Sequence, residues 1–381
     1  MSPVLINPLC GTIAVIAFAA SSVIAQPSFT PLGDLPGGGF YSNGAAVSAD
    51  GQVVVGSTQS TLGRQAFRWT RSGGLQGLGD FPPSGPYDSY GLAVSTAGDV
   101  VVGDGSTISP VSRAAFRWTA STGLQSMGTL TPFGSTYGRG VSADGSVVTG
   151  VASTTGPDHA FRWTAATGMQ SLGSLGANSF SGSWGISADG SIIVGRSNGP
   201  NGAEAFRWTA ATGMQGLGDL PNGGFWSEAH AVSGDGNVII GFGENSAFRH
   251  EAARWTQAGG WSPLGFLPND TRSAANASSY DGSLIGGTSG REAVPSTNLG
   301  ILWDASHGMR YVKDVLLEAG IANLGSWTLT SVTGISADGL TICGAGINPA
   351  GQTEGWVATI PSPTSGSALG LALILLRRRR W

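Results

Sequence analysis

From residue 29 to residue 360 the chain alternates apolar and polar positions in short runs, most of them closed by Gly, Asn, Asp, Ser or Pro. A period of two places every second side chain on one face of an extended segment, so the pattern predicts many short β-strands joined by tight turns. Set against itself, the chain contains one unit seven times. Its first landmark is a Ser-Ala-Asp-Gly turn followed by a β-branched run ending in Gly, with copies at Asp50-Gly51, Ala97-Gly98, Asp144-Gly145, Asp189-Gly190, Asp235-Gly236, Asp281-Gly282 and Asp338-Gly339. The spacings are 47, 47, 45, 46, 46 and 57 residues. Asp-Gly between two apolar runs predicts a hairpin with a type I′ turn, in which both central residues take positive φ.

The second landmark is Ala-Phe-Arg-Trp-Thr. Phe67, Phe116, Phe161 and Phe206 stand two residues before Trp69, Trp118, Trp163 and Trp208; Ala253-Arg254-Trp255, Ile301-Leu302-Trp303 and Trp356-Val357-Ala358 are the later forms. Residues two apart share a strand face, so one face is aromatic and the other carries Arg68, Arg117, Arg162, Arg207 and Arg254. Such a face stays out of water only if it stacks on the next copy, which makes the aromatic stripe core and gives the repetition its physical reason. The Arg stems then add buried area while their heads satisfy carbonyls or a neighbouring Asp.

The third landmark is a short Leu/Met-Gln-x-Leu-Gly strand, at Leu75, Leu124, Met169, Met214, Trp261 and, degraded, Met309. The seventh unit stops at Ile360 without one. The segment Phe29-Thr30-Pro31-Leu32-Gly33 supplies it, matching Trp261-Ser262-Pro263-Leu264-Gly265 nearly position by position. A four-stranded unit of about 46 residues whose last copy is completed by the first strand predicts a closed ring: an all-β, seven-bladed β-propeller. An open β-solenoid is the alternative, and it would need capping repeats instead. In the long step before Asp338, Val312, Val315, Leu316 and Ala319 fall at helical spacing with Gly320 after them, predicting a short amphipathic helix at residues 313–319 on the rim of the ring.

Composition agrees with this layout. Gly makes up 63 of 381 residues and charged residues only 11%, while hydrophobic residues reach 40%, as short strands and tight turns require. The net charge is −4, and four of the nineteen basic residues are the terminal Arg377, Arg378, Arg379 and Arg380. The body is therefore more acidic than the total, which argues against nucleic acid as a partner. Residues 13–20 form an apolar stretch, followed by Ser21, Ser22 and Val23-Ile24-Ala25, which reads as a secretory signal over residues 1–25. Cleavage there would remove Cys10 and leave Cys343 without a disulfide partner, in a buried strand.

The His-Ala-Phe-Arg-Trp string at His159-Ala160-Phe161-Arg162-Trp163, with Thr167-Gly168-Met169-Gln170 and Ser187-Ala188-Asp189-Gly190 after it, resembles the HAF extracellular-repeat family. The resemblance covers residues 29–360; it implies export and a repeat fold, and no defined activity. The His is not kept among the copies, where Gln65, Ala114, Glu204, Glu251, Leu299 and Glu354 replace it. Residues 361–381 resemble a PEP-CTERM sorting tail: Pro361 and Pro363, an apolar run at residues 368–376, then the four Arg. A run next to a basic cluster reads as a stop-transfer element with its positive side in the cytoplasm. The resemblance implies transient membrane contact, with export machinery and a C-terminal processing enzyme as partners; Ser362 stands where that family carries Glu.

Candidate chemistry is sparse. His159, His230, His250 and His307 are scattered along the chain without metal-ligand spacing, each turn offers one carboxylate where a calcium loop needs several, and no nucleophile elbow or phosphate loop occurs. No catalytic residue, metal or cofactor is therefore assigned. Two weak acid/base pairings stand out, Glu228 with His230 and Asp158 with His159. Three residues before each turn Ser, on the strand expected to be innermost, the copies diverge: Ala45, Leu92, Arg139, Trp184, His230, Asn276 and Thr333. Distinct side chains at one ring position suit a small polar pocket at the channel, with Arg139, Trp184, His230 and Asn276 as its binding candidates. The expectation is an exported, monomeric structural or interaction module that binds a glycan or surface protein; the alternative is a polysaccharide-active lyase or hydrolase on the same scaffold.

Overall fold

The computed structural model describes residues 26–81, 87–107, 113–291 and 294–361. The signal reading at residues 1–25 and, beyond Pro361, the sorting tail with Pro363 and the four Arg lie outside the described residues. The body forms seven antiparallel sheets, each with a path of four strands. In the first, Ser42–Val47, Val53–Ser60, Gly63–Thr70 and Gly74–Gly79 run from the inner to the outer edge, and Tyr87–Asp88 adds a short parallel pairing. The seventh sheet combines Thr328–Ile335, Thr341–Ile347 and Thr353–Thr359 with Ser28–Pro31 as its outer strand. There Phe29 faces Ala358 and Pro31 faces Trp356 across the ladder. The protein is a seven-bladed β-propeller closed by its N-terminal strand.

Seven hydrophobic clusters hold the ring, one between each pair of neighbouring blades. Val53, Val55 and Ala66 of the first blade meet Val101, Phe116 and Trp118 of the second. Cys343 and Val357 of the seventh meet Val54, Phe67 and Trp69 of the first, so ring closure uses the same packing as every other interface. Phe67, Phe116, Phe161 and Phe206 are fully buried. Trp69, Trp118 and Trp255 are buried too, while Trp163, Trp208 and Trp303 are half-buried and pack on their clusters. The helix runs over Val312–Glu318, one residue earlier than predicted, and inserts Val312 and Leu316 into the cluster that also holds Phe29, Trp327 and Trp356. Gly320, at φ +87°, follows it and donates its N–H to Leu317 O.

The hairpin turns differ from the predicted type. Only the glycines (Gly51, Gly98, Gly145, Gly190, Gly236, Gly282, Gly339) take positive φ; the Asp before them do not, so the turns are not type I′. In the third blade Gly145 N donates to Ser142 O, Ser142 N to Val147 O, and Val147 N to the Ser142 hydroxyl. Asp144 accepts from the Ser142 hydroxyl at 2.6 Å and from Ser146 N at 3.0 Å. The four-residue connection is thus built by a Ser and an Asp satisfying the loop's own donors, an Asx-type arrangement that leaves the Asp in an ordinary conformation. Asp50, Asp189, Asp235, Asp281 and Asp338 repeat it. In the second blade Ala97 replaces the Asp, and Asp99 moves in to hold Ser95 at 2.6 Å. Backbone bonds link successive turns from Thr96 through Ala143, Ala188 and Gly234 and from Tyr280 through Ala337 to Ala49, ringing one end of the axis.

A second lock joins one blade to the next. Six residues before each turn Ser stands a Ser or Thr: Ser42, Ser89, Thr136, Ser181, Ser227, Ser273 and Thr330. Six of them accept the N–H of a residue on the preceding blade, as Ser227 does from Ala205 at 3.0 Å, while its hydroxyl donates to Gly218 O at 2.8 Å. The position occupied by His159 has a related duty: Gln65, Glu204 and Glu354 there accept the N–H of Gly79, Gly218 and Gly33, and His159 itself bonds Ser171. Its variation follows from a role that several acceptors can fill.

Candidate functional site

Each inner strand carries a β-bulge at the same repeat position, and the seventh has a second shift at Thr330. In the first blade Gly44 pairs with Gly56 and Ala46 with Val55, leaving Ala45 unpaired. Leu92, Arg139, Trp184, His230, Asn276 and Thr333 are skipped in the same way in the other six blades. A bulge bends the strand and re-aims the extra residue. Here it brings all seven diverging side chains to the axis, where they line one channel cavity of about 270 Å³.

The bulge also explains the Gly that ends each β-branched run. A Cβ on Gly150 would sit 1.9 Å from Tyr137 O and 2.9 Å from the Phe161 ring, and one on Gly103 would sit 1.7 Å from Tyr90 O. Backbone displaced by the bulge fills the space that a side chain would need. Bulge and glycine are one device, and the frame it builds is the same in all seven blades.

Three groups of charged residues lie at the strand ends away from the turns. His230 Nε2 lies 3.5 Å from Glu228 Oε1, and its Nδ1 lies 3.0 Å from Ala275 O and 3.2 Å from Asn276 Oδ1 on the next blade. Arg196 Nη1, from the preceding blade, lies 3.3 Å from Glu228 Oε2. Burial pushes the Glu228 carboxyl up, but His230 and Arg196 outweigh it and hold the group below the usual carboxylate value. The Glu228–His230 pairing forms within one strand and is tied to the preceding blade by Arg196 and to the next by Ala275 and Asn276. His159 bonds Ser171 instead of Asp158, whose carbonyl accepts Ser181 N, so no bonded Asp158–His159 pair forms. Arg113 grips Asp88 at 2.7 Å and Asp104 at 2.5 Å. Burial drives the Asp104 carboxyl above its ordinary value despite Arg113 and Arg139 nearby. Arg64 bonds the Tyr90 hydroxyl at 2.8 Å and lies over the Tyr41 ring.

At the other end of the axis, Arg68 and Arg117 donate from Nε to Gly98 O and Gly145 O in the next blade's turn, at 2.8 and 3.0 Å. Those two Arg of the Phe-Arg-Trp strand thus fasten one blade to the next. Among the described residues no group of three or more His, Cys, Asp and Glu is placed to hold a metal ion.

No family model matches the chain, and no curated protein matches it. Solved structures do. The chain is similar to an oligogalacturonate lyase from Vibrio parahaemolyticus, with a TM-score of 0.53 at 11% identity over 89% of this chain and 98% of that one. It is similar to a prolyl endopeptidase (TM-score 0.54, 10% identity, 85% of this chain and 51% of that one). It also matches TolB from Acinetobacter baumannii (TM-score 0.48, 14% identity, 69% of this chain and 63% of that one). The chain thus spans about half of the endopeptidase and under two thirds of TolB. At such identities the likeness concerns the fold alone.

Proposed function

We propose that this protein is an exported propeller acting at the cell surface or outside the cell as a binding module, with a glycan as its ligand at the channel. One observation carries the reading. Seven bulges repeat a constant frame, yet the side chain that each delivers to the channel is different, and the set combines an Arg, a Trp, a His, an Asn and a Thr. Sugars are held by such mixtures of ring faces and fixed hydrogen-bonding groups. Export and attachment through the C-terminal tail rest on the sequence signals, with a sorting enzyme as the partner that releases the body. No helix among the described residues is long and apolar enough to cross a membrane.

A glycan array probed with the purified protein tests the binding reading: retention of one glycan class, reduced by Trp184→Ala, is expected, and an array without any retained class would sink it. Cell fractionation with and without residues 361–381 tests the tail, since identical distribution of the two forms defeats the sorting proposal.

A second reading, a polysaccharide-active enzyme, is favoured by the Arg196–Glu228–His230 cluster, in which a carboxylate, an imidazole and a guanidinium stand within hydrogen-bonding or ion-pair range. Turnover of a polymer that is lost in both Glu228→Gln and His230→Ala would establish it over the first.

A further inference from the structure

We infer that the channel recognises a single carboxylated sugar residue of the uronate class, with the Arg139 guanidinium as the group that binds its carboxylate. The inference rests on the channel-binding reading above and specifies its ligand.

Arg139 differs from the other Arg at this end of the ring. Arg113 is engaged by Asp88 and Asp104, Arg196 by Glu228, and Arg64 by the Tyr90 hydroxyl. The Nε of Arg139 is buried without a partner, as are those of Arg64 and Arg196, but among the described residues Arg139 alone of these four makes no hydrogen bond or ion pair through its other nitrogens either. Its one ring neighbour is Tyr137, 5.7 Å from the guanidinium carbon. A buried, unmade donor on a charged group is costly, and a fold that keeps one at a cavity wall has a use for an acceptor there. The carboxylate whose electrostatics Arg139 influences, Asp104, is already satisfied. Asp104 is bound by Arg113.

The chemistry of the fork selects the ligand. A guanidinium offers parallel N–H donors that match the two oxygens of a carboxylate, at a strength that neutral hydroxyls do not reach. The cavity, about 270 Å³, falls near the lower edge of small-molecule sites, so it admits one residue and not a threaded chain. Trp184 lines the same cavity and offers an apolar ring to the C–H face of a pyranose, which a peptide terminus does not need. A uronate at the end of a glycan satisfies both features.

The test is calorimetric titration of the full-length protein with D-galacturonate, its uncharged methyl ester and D-galactose, alongside a short peptide in its acid and amide forms. The expected result is binding of galacturonate with a roughly 10- to 100-fold loss for ester and galactose, the range lost with a charge-assisted hydrogen bond. Arg139→Gln is expected to erase that difference and leave the melting temperature unchanged, because Arg139 bonds nothing in the wall. Equal affinity for acid, ester and galactose overturns the uronate assignment while leaving glycan binding intact. Galacturonate binding that survives Arg139→Gln overturns the role of Arg139. Arg139-dependent binding of the peptide acid without galacturonate binding replaces the sugar with a protein terminus. If galacturonate does not bind but neutral glycans are retained on the array, only this inference falls; if no glycan is retained, the binding reading falls with it.

Discussion

Closure of the ring depends on Phe29, and replacing it by Ala measures how much. The side chain is 7% exposed, with its ring 5.2 Å from Trp327 and 6.0 Å from Trp356. Both neighbours belong to the cluster that also receives the helix, so the vacated volume adjoins rigid indoles and a packed helix, which limits collapse. Removing a buried Phe ring costs about 3–5 kcal/mol in transfer and cavity terms together. With an unfolding entropy of roughly 2.1 cal/mol/K per residue over about 335 residues, near 0.7 kcal/mol/K, the melting temperature should fall by about 4–7 °C. Differential scanning calorimetry reads this directly. Phe133→Ala, where the ring is 71% exposed, is the control and should stay within about 0.5 kcal/mol of the parent. If Phe29→Ala melts where Phe133→Ala does, the N-terminal strand does not close the ring in solution and the packing account of closure is wrong.

Four further outcomes follow from other parts of the frame. Gly150→Ala places a Cβ 1.9 Å from Tyr137 O and should cost about 1–3 kcal/mol or more by overpacking, whereas Gly156→Ala, with its nearest neighbour at 3.8 Å, should be neutral in the same denaturant titration. Ser227→Ala removes the acceptor of Ala205 N and the donor to Gly218 O; the stranded buried groups should cost about 1–3 kcal/mol, and Ser227→Thr should recover most of it, since Thr136 does the same work elsewhere. The Asp144 carboxyl is held down to about 2 by the Ser142 hydroxyl, then by the Ser146 N–H and hydroxyl. Because the folded value lies below the ordinary value of about 3.9, the turn's contribution is complete above pH ~4 and is lost as pH falls toward ~2; carboxyl NMR should show the Asp144 midpoint rising in Ser142→Ala. Burial pushes the Cys343 thiol up to about 12, so a thiol reagent at pH 8 should label it only after unfolding, and labelling at the rate of a free thiol would contradict its place in the seventh-to-first interface.

The candidate site was partly visible in the chain, because a repeat exposes its own exceptions. Positions that all copies keep belong to the frame, and the divergent Ala45, Leu92, Arg139, Trp184, His230, Asn276 and Thr333 stood out against it. Their meeting at the axis was an expectation from strand order, and the structure places them around one cavity. The pairing of Glu228 with His230 was named from the sequence, and both stand on the strand Ser227–Val232. Arg196 was missed because it comes from the preceding blade, 32 residues earlier in the chain, and no local pattern marks it.

What the sequence by itself determined is the count of blades, the strand order within each, the buried aromatic face and the permuted closure at Phe29. All of these follow from periodicity, because a face repeated seven times must be covered seven times. Tertiary structure decided the turn type, the bulges and the isolation of Arg139. The Ser and Asp side chains satisfied each loop's donors and removed the need for positive φ at Asp. Crowding of inner-strand carbonyls against Gly56, Gly103, Gly150 and their counterparts accompanies the bulge that turns one residue per blade toward the axis. Which charges then find partners depends on distances between blades, and those exist only once the ring is closed.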